Sequence, residues 1–171
     1  MAATYTLIES YTVGSGGASS VTLGSGGTIP QTYTDLKLLW SGRTTRSSTG
    51  SYAYISFNGS TSTFSGLLLG GYGTGTTSAS QTQPAGIETD ANATASTFAN
   101  NEIYIPNYTS SNYKSFSVDS VSENNGSTGF NYLFAGLWST GSAITSITIT
   151  PESGGNWVQY STFYLYGIKN S

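Results

Sequence analysis

Apolar and polar residues alternate regularly over residues 102–121, on both sides of a turn-rich segment. Ile103–Ile105 is rich in β-formers and is followed by Pro106, the polar segment 107–112, and a second alternating stretch. A period of two places successive side chains on opposite faces of a strand, as in an antiparallel hairpin with one buried face. Pro106 has no amide proton to donate to a neighbouring strand, so we expect the first strand to end there. The segment predicts a hairpin at the centre of an all-β protein.

The same alternation recurs along the chain, and no segment has the 3.6-residue period of a helix. Short strands at intervals of about 8–15 residues, separated by turns, are typical of β-sandwiches. At 171 residues, the chain is long enough to bury about 70% of its unfolded surface around one core. We therefore predict a single domain over residues 1–171, an antiparallel, jelly-roll-like β-sandwich of roughly eight to ten strands.

Several local predictions follow from the pattern. Residues 3–13 predict a first strand with a bulge near Glu9. Residues 34–42 predict a strand with one apolar face and a partly covered second face. Asn58 and Gly59 both tolerate positive φ, which favours a hairpin turn between strands 52–58 and 63–69. The side chains that we expect to lie in the core rather than on a sugar-binding surface are Trp40, Trp138 and Trp157.

Two further segments, 74–84 and 156–169, carry opposite expectations. Residues 74–84 have little apolar content, and we expect a long exposed loop there. Residues 156–169 are apolar on both faces, which predicts a strand in the interior of a sheet rather than at an edge.

The composition excludes several kinds of catalytic site. The chain has no histidine and no cysteine, so it cannot form a Ser-His-Asp or Cys-His nucleophile. A glycosidase-like carboxylate pair is the remaining alternative, drawn from the eight acidic residues, Glu9, Asp35, Glu88, Asp90, Glu102, Asp119, Glu123 and Glu152. Among them, Glu88 and Asp90 lie near one turn, and Asp119 and Glu123 near another. Neither pair lies in a recognisable motif, and we expect these acids to be solvated loop residues. We predict no catalytic residues and no enzymatic activity.

Oxygen-bearing side chains form two weak candidates for a calcium site, Asp90 with Asn92, and Glu123 with the asparagines at 124–125. Calcium requires six to eight oxygen ligands, and the spacing of an EF-hand loop is absent. We therefore predict neither a metal nor a cofactor.

Charge and hydropathy limit the possible partners. The net charge is −3, and the five cationic residues are scattered, without the basic stripe of nucleic-acid-binding proteins. Only Arg43 and Arg46 lie close together, and they are our candidate contact with an acidic partner. No apolar run approaches the roughly 20 residues of a membrane span, and no signal peptide is recognisable, which predicts synthesis in the cytoplasm. Because charged residues make up only 8% of the chain, exposed strand edges are poorly protected, which favours a homo-oligomer.

Five segments of the sequence are distinctive: YTLIES (5–10), IPQTYTDL (29–36), YIPNYTSSNYKSF (104–116), AGLWS (135–139) and ITPESGGNWVQYSTFYLYGI (149–168). In these segments the chain resembles a family of small, Ser/Thr-rich β-proteins encoded by tailed bacteriophages, notably phages of aquatic bacteria. The resemblance covers most of the chain and is weakest over residues 42–50 and 73–84.

The resemblance implies a virion structural protein with no catalytic motif. Its implied role is that of a capsid decoration or cement protein, which binds the major capsid protein on the outer surface of the shell, commonly as a trimer. The alternative is a tail- or fibre-associated module that recognises host-surface glycans.

Overall fold

A computed structural model describes residues 4–122, 124–125 and 129–169, which form twelve β-strands and no helix. In order across the sheet, the eight-stranded sheet consists of β1 (Tyr5–Thr12), β12 (Thr162–Ile168), β3 (Asp35–Gly42), β8 (Ala99–Ile105), β9 (Lys114–Ser122), β10 (Phe130–Trp138), β5 (Phe64–Tyr72) and β6 (Gly75–Gln81). The four-stranded sheet consists of β2 (Val21–Leu23), β11 (Ile147–Pro151), β4 (Gly50–Phe57) and β7 (Ala85–Thr89). Neighbouring strands are antiparallel in both sheets. The predicted β-sandwich is confirmed, with more strands than expected.

The core lies between the two sheets, where the alternating apolar residues face each other. The Phe57 ring, on the four-stranded sheet, packs edge-on against Phe64, Phe116 and Trp138 of the larger sheet at centroid distances of 5.3–5.5 Å. Such edge-to-face contacts add about 0.5–1.5 kcal/mol each beyond the burial of the rings. All three tryptophans are buried, which confirms that they belong to the core.

Several local predictions are confirmed. Strands β8 and β9 pair as the fourth and fifth strands of the larger sheet, so the predicted hairpin is central. The pairing of β1 shifts register between Leu7 and Glu9, where the bulge was expected. Strand β3 buries one face and covers the other partly. Strand β12 lies between β1 and β3 and is therefore not an edge strand.

Three other predictions are wrong. Most of the expected loop 74–84 is strand β6, which pairs with β5 over residues 75–81, because threonine and serine tolerate the extended backbone. The expected last strand begins only at Thr162, since Tyr160 has a φ of 73° that interrupts the extended chain. The hairpin around Asn58 and Gly59 is also wrong: both have positive φ, but the strands they join belong to different sheets.

Asn58 explains why the chain crosses between sheets at this turn. Its side-chain oxygen accepts hydrogen bonds from the backbone amides of Thr145 and Ser146 at 2.7 and 3.1 Å, and its amide donates to the carbonyl of Ala143 at 2.8 Å. The turn is thereby tied to the segment that leads into β11, the neighbour of β4.

Candidate functional site

The outward face of the eight-stranded sheet is the candidate interaction surface. On most soluble sheets this face is polar, because it meets water. Here large apolar side chains stand on it in two groups, at opposite ends of the sheet, and they are placed there by strand register alone.

The first group, which we name the leucine patch, lies on β5, β9 and β10. Leu69 and Leu133 are direct cross-strand partners, and Leu67 and Val121 lie beside them. Each of these four side chains is between 42% and 48% exposed. Leu68, between the two exposed leucines of β5, points inward and is buried, so the Leu-Leu-Leu run of the sequence has apolar residues on both faces of one strand.

The second group, which we name the aromatic patch, lies near the β1 edge and consists of Tyr5, Leu7, Tyr104 and Tyr164, all at least partly exposed. The Tyr104 hydroxyl donates a hydrogen bond of 2.7 Å to Asp35, which fixes the ring on the surface. The pKa of Tyr104 is raised to about 12, and this hydrogen bond is the largest cause, with burial the second.

A charged band crosses the central strands β3, β8 and β9, and its Lys37 is the cross-strand partner of Tyr104 in the aromatic patch. Lys37 and Glu102 form an ion pair at 2.9 Å on neighbouring strands, and Asp119 is the cross-strand partner of Glu102 on the next strand. Ion pairs this exposed contribute about 0–1 kcal/mol to stability. The band therefore contributes little to the stability of the fold.

Strand β6 forms one free edge of this sheet. It has no charged residue and no proline, and most of its residues are exposed. Proteins usually protect such edges with charge, proline or a bulge. The opposite edge strand, β1, has both a bulge and Glu9, so the two edges differ in their protection.

The structure places Arg43 and Arg46 near the end of β3, where both contact residues of their own chain. The Arg43 guanidinium donates to four backbone carbonyls of segment 91–97, at 2.9–3.3 Å. Arg46 forms an ion pair with Glu152 at 3.3 Å. Arg43 therefore holds a loop in place, and contact of either side chain with an acidic partner stays a prediction.

Glu88 and Asp90, which we expected to be solvated, are instead fully buried, so that expectation is wrong. Trp40 Nε1 and Asn101 Nδ2 donate to the same Glu88 oxygen, Oε1, at 2.6 and 3.1 Å. Glu88 Oε2 and Asn101 Oδ1 have no hydrogen-bond partner. Burial raises the Glu88 pKa well above its usual 4.5, and the nearby Asp90 raises it further.

Asp90 accepts hydrogen bonds from the hydroxyls of Thr44, at 2.5 Å, and Ser51, at 2.9 Å. Burial raises the pKa of Asp90 as well, although both hydroxyls oppose the shift. The two carboxyls come together as the sequence pairing suggested, but solvent does not reach them. Such a buried pair suits a structural polar network better than a substrate-binding groove.

The other candidate acids are not assembled into a site by the described residues. Asp119 is exposed on the charged band, and Glu123, its suggested partner and a suggested calcium ligand, lies outside the described residues. Asp90 is buried whereas Asn92 is exposed, so the two do not share a solvent-facing position. Within residues 4–122, 124–125 and 129–169, no group of three or more acidic, histidine or cysteine side chains is placed to hold a metal ion.

Sequence reasoning missed the outward patches. The sequence signal for them was the presence of apolar residues at both odd and even positions of one strand, as at residues 67–69.

The described part of the chain contains no helix that could span a membrane. No family model matches the sequence, and no curated protein or solved structure is significantly similar to it.

Proposed function

We propose that this chain is a non-enzymatic structural protein of a tailed-bacteriophage virion, a capsid decoration or cement protein bound to the outer surface of the shell. The observation that carries the proposal is the outward face of the eight-stranded sheet, where the leucine patch and the aromatic patch lie beside a charged band. Contiguous exposed apolar patches on a folded domain mark interaction surfaces. The sequence phrases that resemble phage β-proteins supply the kind of particle.

Burial of the leucine patch against a partner would contribute favourable free energy to binding. Full burial of a leucine or valine contributes about 1.5–3 kcal/mol, and the four residues of the leucine patch have slightly less than half of their surface left to bury. Covering the patch would therefore contribute about 3–5 kcal/mol before the costs of association. A protein that binds only the assembled shell stabilises that shell by mass action.

The free β6 edge supports a homo-oligomer of this chain. The resemblance to phage β-proteins implies that the homo-oligomer is a trimer. An uncharged and exposed edge strand can pair with a neighbouring chain. A symmetric arrangement of copies around a capsid axis would cover this edge and leave the outward sheet faces for the major capsid protein. Glu88 and Asp90 are the only acidic pair that is enclosed among the described residues, and their burial supports the proposal that the protein is not an enzyme.

The test uses particles of the phage that encodes the chain. Mass spectrometry is expected to find many copies per particle, and particles lacking the protein are expected to release DNA at a lower temperature. Adding back the wild-type protein should restore stability, whereas L69S/L133S should bind poorly although its inward core is unchanged. Tyr113→Ser, at an exposed tyrosine on the turn before β9, is the control and should bind normally. Absence of the protein from particles, or full binding by L69S/L133S, would contradict the proposal.

A tail- or fibre-associated carbohydrate-binding module is the second candidate. The observation that favours it is a cleft lined by tyrosines at the β5–β6 end of the sandwich. The two candidates differ in copy number: a few copies located at the tail, together with sugar binding, would favour the second.

A further inference from the structure

The four-stranded sheet covers only part of the larger sheet, and a cleft opens where its cover ends. Inward-facing residues of β6, such as Thr77, are exposed, although the inward residues of the other long strands are mostly buried. The cleft has a volume of about 310 Å³ and lies between β4 and the inner faces of β10, β5 and β6. We name it the tyrosine cleft, after Tyr52, Tyr72 and Tyr132, which line it.

The aromatic walls are held in place by their neighbours. The Tyr72 ring stacks on Phe130 with 4.4 Å between centroids, and Tyr52 lies 5.8 Å from Tyr132. Gly70 is the cross-strand partner of Tyr132, and a Cβ at that position would lie 1.9 Å from the tyrosine ring. The glycine therefore allows the Tyr132 ring to lie flat across β5, and rings held in this way need little ordering when a ligand binds.

The polar groups of the cleft are available to a ligand. The side chains of Thr77 and Gln81 line the cleft and make no hydrogen bond with another described residue. Burial is the largest cause, and the neighbouring Tyr132 the next, of a rise in the pKa of Tyr52 to about 12, so its hydroxyl stays neutral. Among the residues that the structure describes, no charged side chain lines the cleft, which disfavours an ionic ligand.

We propose that the tyrosine cleft binds a neutral hexose ring of a glycan. A pyranose ring has apolar C–H faces that pack on aromatic rings, and hydroxyls around its rim that pair with side-chain hydroxyls and amides. The cleft offers both groups, and its volume lies at the lower end of the range for small-molecule sites. A proline-rich peptide also docks on aromatic residues, but it needs a longer groove and has few hydroxyl-type partners to offer.

The site is defined by the cleft alone, so the inference goes beyond the capsid role and deepens the second candidate function. Residues of the cleft point inward, and residues of the leucine patch point outward. Failure of sugar binding and failure of particle binding are therefore separate results, each measured in its own assay.

The experiment is a titration of the ¹⁵N-labelled full chain with methyl glycosides of galactose, glucose, mannose and N-acetylglucosamine, followed by NMR. At about 20 mM ligand, above the millimolar affinity typical of a single sugar ring, at least one glycoside should shift amide signals of β6 and of residues near Tyr52. Tyr72→Ala should weaken binding about tenfold. Thr77→Val, which removes a hydroxyl and keeps the shape, should weaken it severalfold. Tyr113→Ala, an exposed tyrosine outside the cleft, is the control and should bind as the wild type does.

Other outcomes overturn the proposal. It is wrong if none of the four glycosides shifts the cleft signals, or if the shifts survive both cleft substitutions. Stronger binding of a sialylated or sulfated glycan would contradict the neutral class of ligand, and binding of a polyproline peptide in the same cleft would replace the sugar with a peptide. One-dimensional spectra with dispersed methyl signals will show that each variant is folded.

Discussion

Replacing Glu88 by glutamine is expected to stabilise the protein, and to do so more strongly as the pH rises. The Glu88 carboxyl is fully buried, and only one of its oxygens has hydrogen-bond partners. A glutamine carbonyl can still accept from Trp40 and Asn101, and its amide replaces the carboxyl oxygen that has no hydrogen-bond partner. The substitution therefore removes an ionisable group from the core and keeps its shape.

The direction of the pH dependence follows from the Glu88 pKa, which burial raises well above 4.5. Between the unfolded and folded pKa values, the folded protein keeps a proton that the unfolded chain has lost. The stability that Glu88 contributes is therefore complete below the ordinary pKa and is lost as the pH rises through the folded pKa. The loss approaches about 1.4 kcal/mol per pH unit for one proton. Glu88→Gln should not show this loss.

Urea unfolding followed by tryptophan fluorescence, at pH values from about 4 to 8, measures this difference. The free energy of unfolding of Glu88→Gln minus that of the wild type should increase with pH. Asp90 is present in both proteins, so its own titration largely cancels in the difference. Glu102→Gln, the same change at a partly exposed carboxylate, is the control for the substitution itself. A difference that is flat with pH, or that falls as the pH rises, would refute the reasoning.

Three further substitutions test the packing. Gly42→Ala should destabilise the protein by about 1–3 kcal/mol in urea unfolding, because a Cβ there would lie 2.2 Å from Glu88 Oε2, whereas Gly26→Ala, with open space around it, should have little effect. Asn58→Ala should lower the free energy of unfolding by about 1–3 kcal/mol, because the side-chain hydrogen bonds are lost and alanine is strained at a positive φ. Asn58→Gly should cost less, because it loses the same hydrogen bonds but glycine adopts a positive φ without strain. Lys114→Met should lower the free energy of unfolding by about 1–3 kcal/mol, because the buried ammonium donates to three loop carbonyls. Amide hydrogen exchange in the adjoining loops should become faster, and unchanged exchange would contradict that role.

The fold class could be predicted because period-two alternation depends on local residue order. The central hairpin, the bulge before Glu9 and the interior position of the last strand all follow from residues close together in the sequence. Pairing across the sandwich does not follow in this way. The turn at Asn58 has the positive φ angles of a hairpin turn, yet hydrogen bonds to residues 143–146 direct β4 into the other sheet.

The candidate surfaces were harder to predict for a related reason. Glu88 looks like a solvated acid until Trp40 and Asn101, distant in sequence, are seen to enclose it. The segment 74–84 looks like a loop because small polar residues suit both loops and exposed strands. Its pairing with β5 creates both the free edge and one wall of the tyrosine cleft, so neither could be inferred from composition.

The β5–β6 hairpin joins the two proposed activities and also separates them. Successive residues of a strand point to opposite faces, so Leu67 and Leu69 lie on the outward face whereas Tyr72 and Thr77 lie on the inward one. If both proposals are right, L69S/L133S should impair particle binding with unchanged sugar affinity, and Tyr72→Ala should do the reverse. A single substitution that impaired both, in a protein shown to be folded, would mean that one surface serves both partners, which the alternation of this hairpin does not allow.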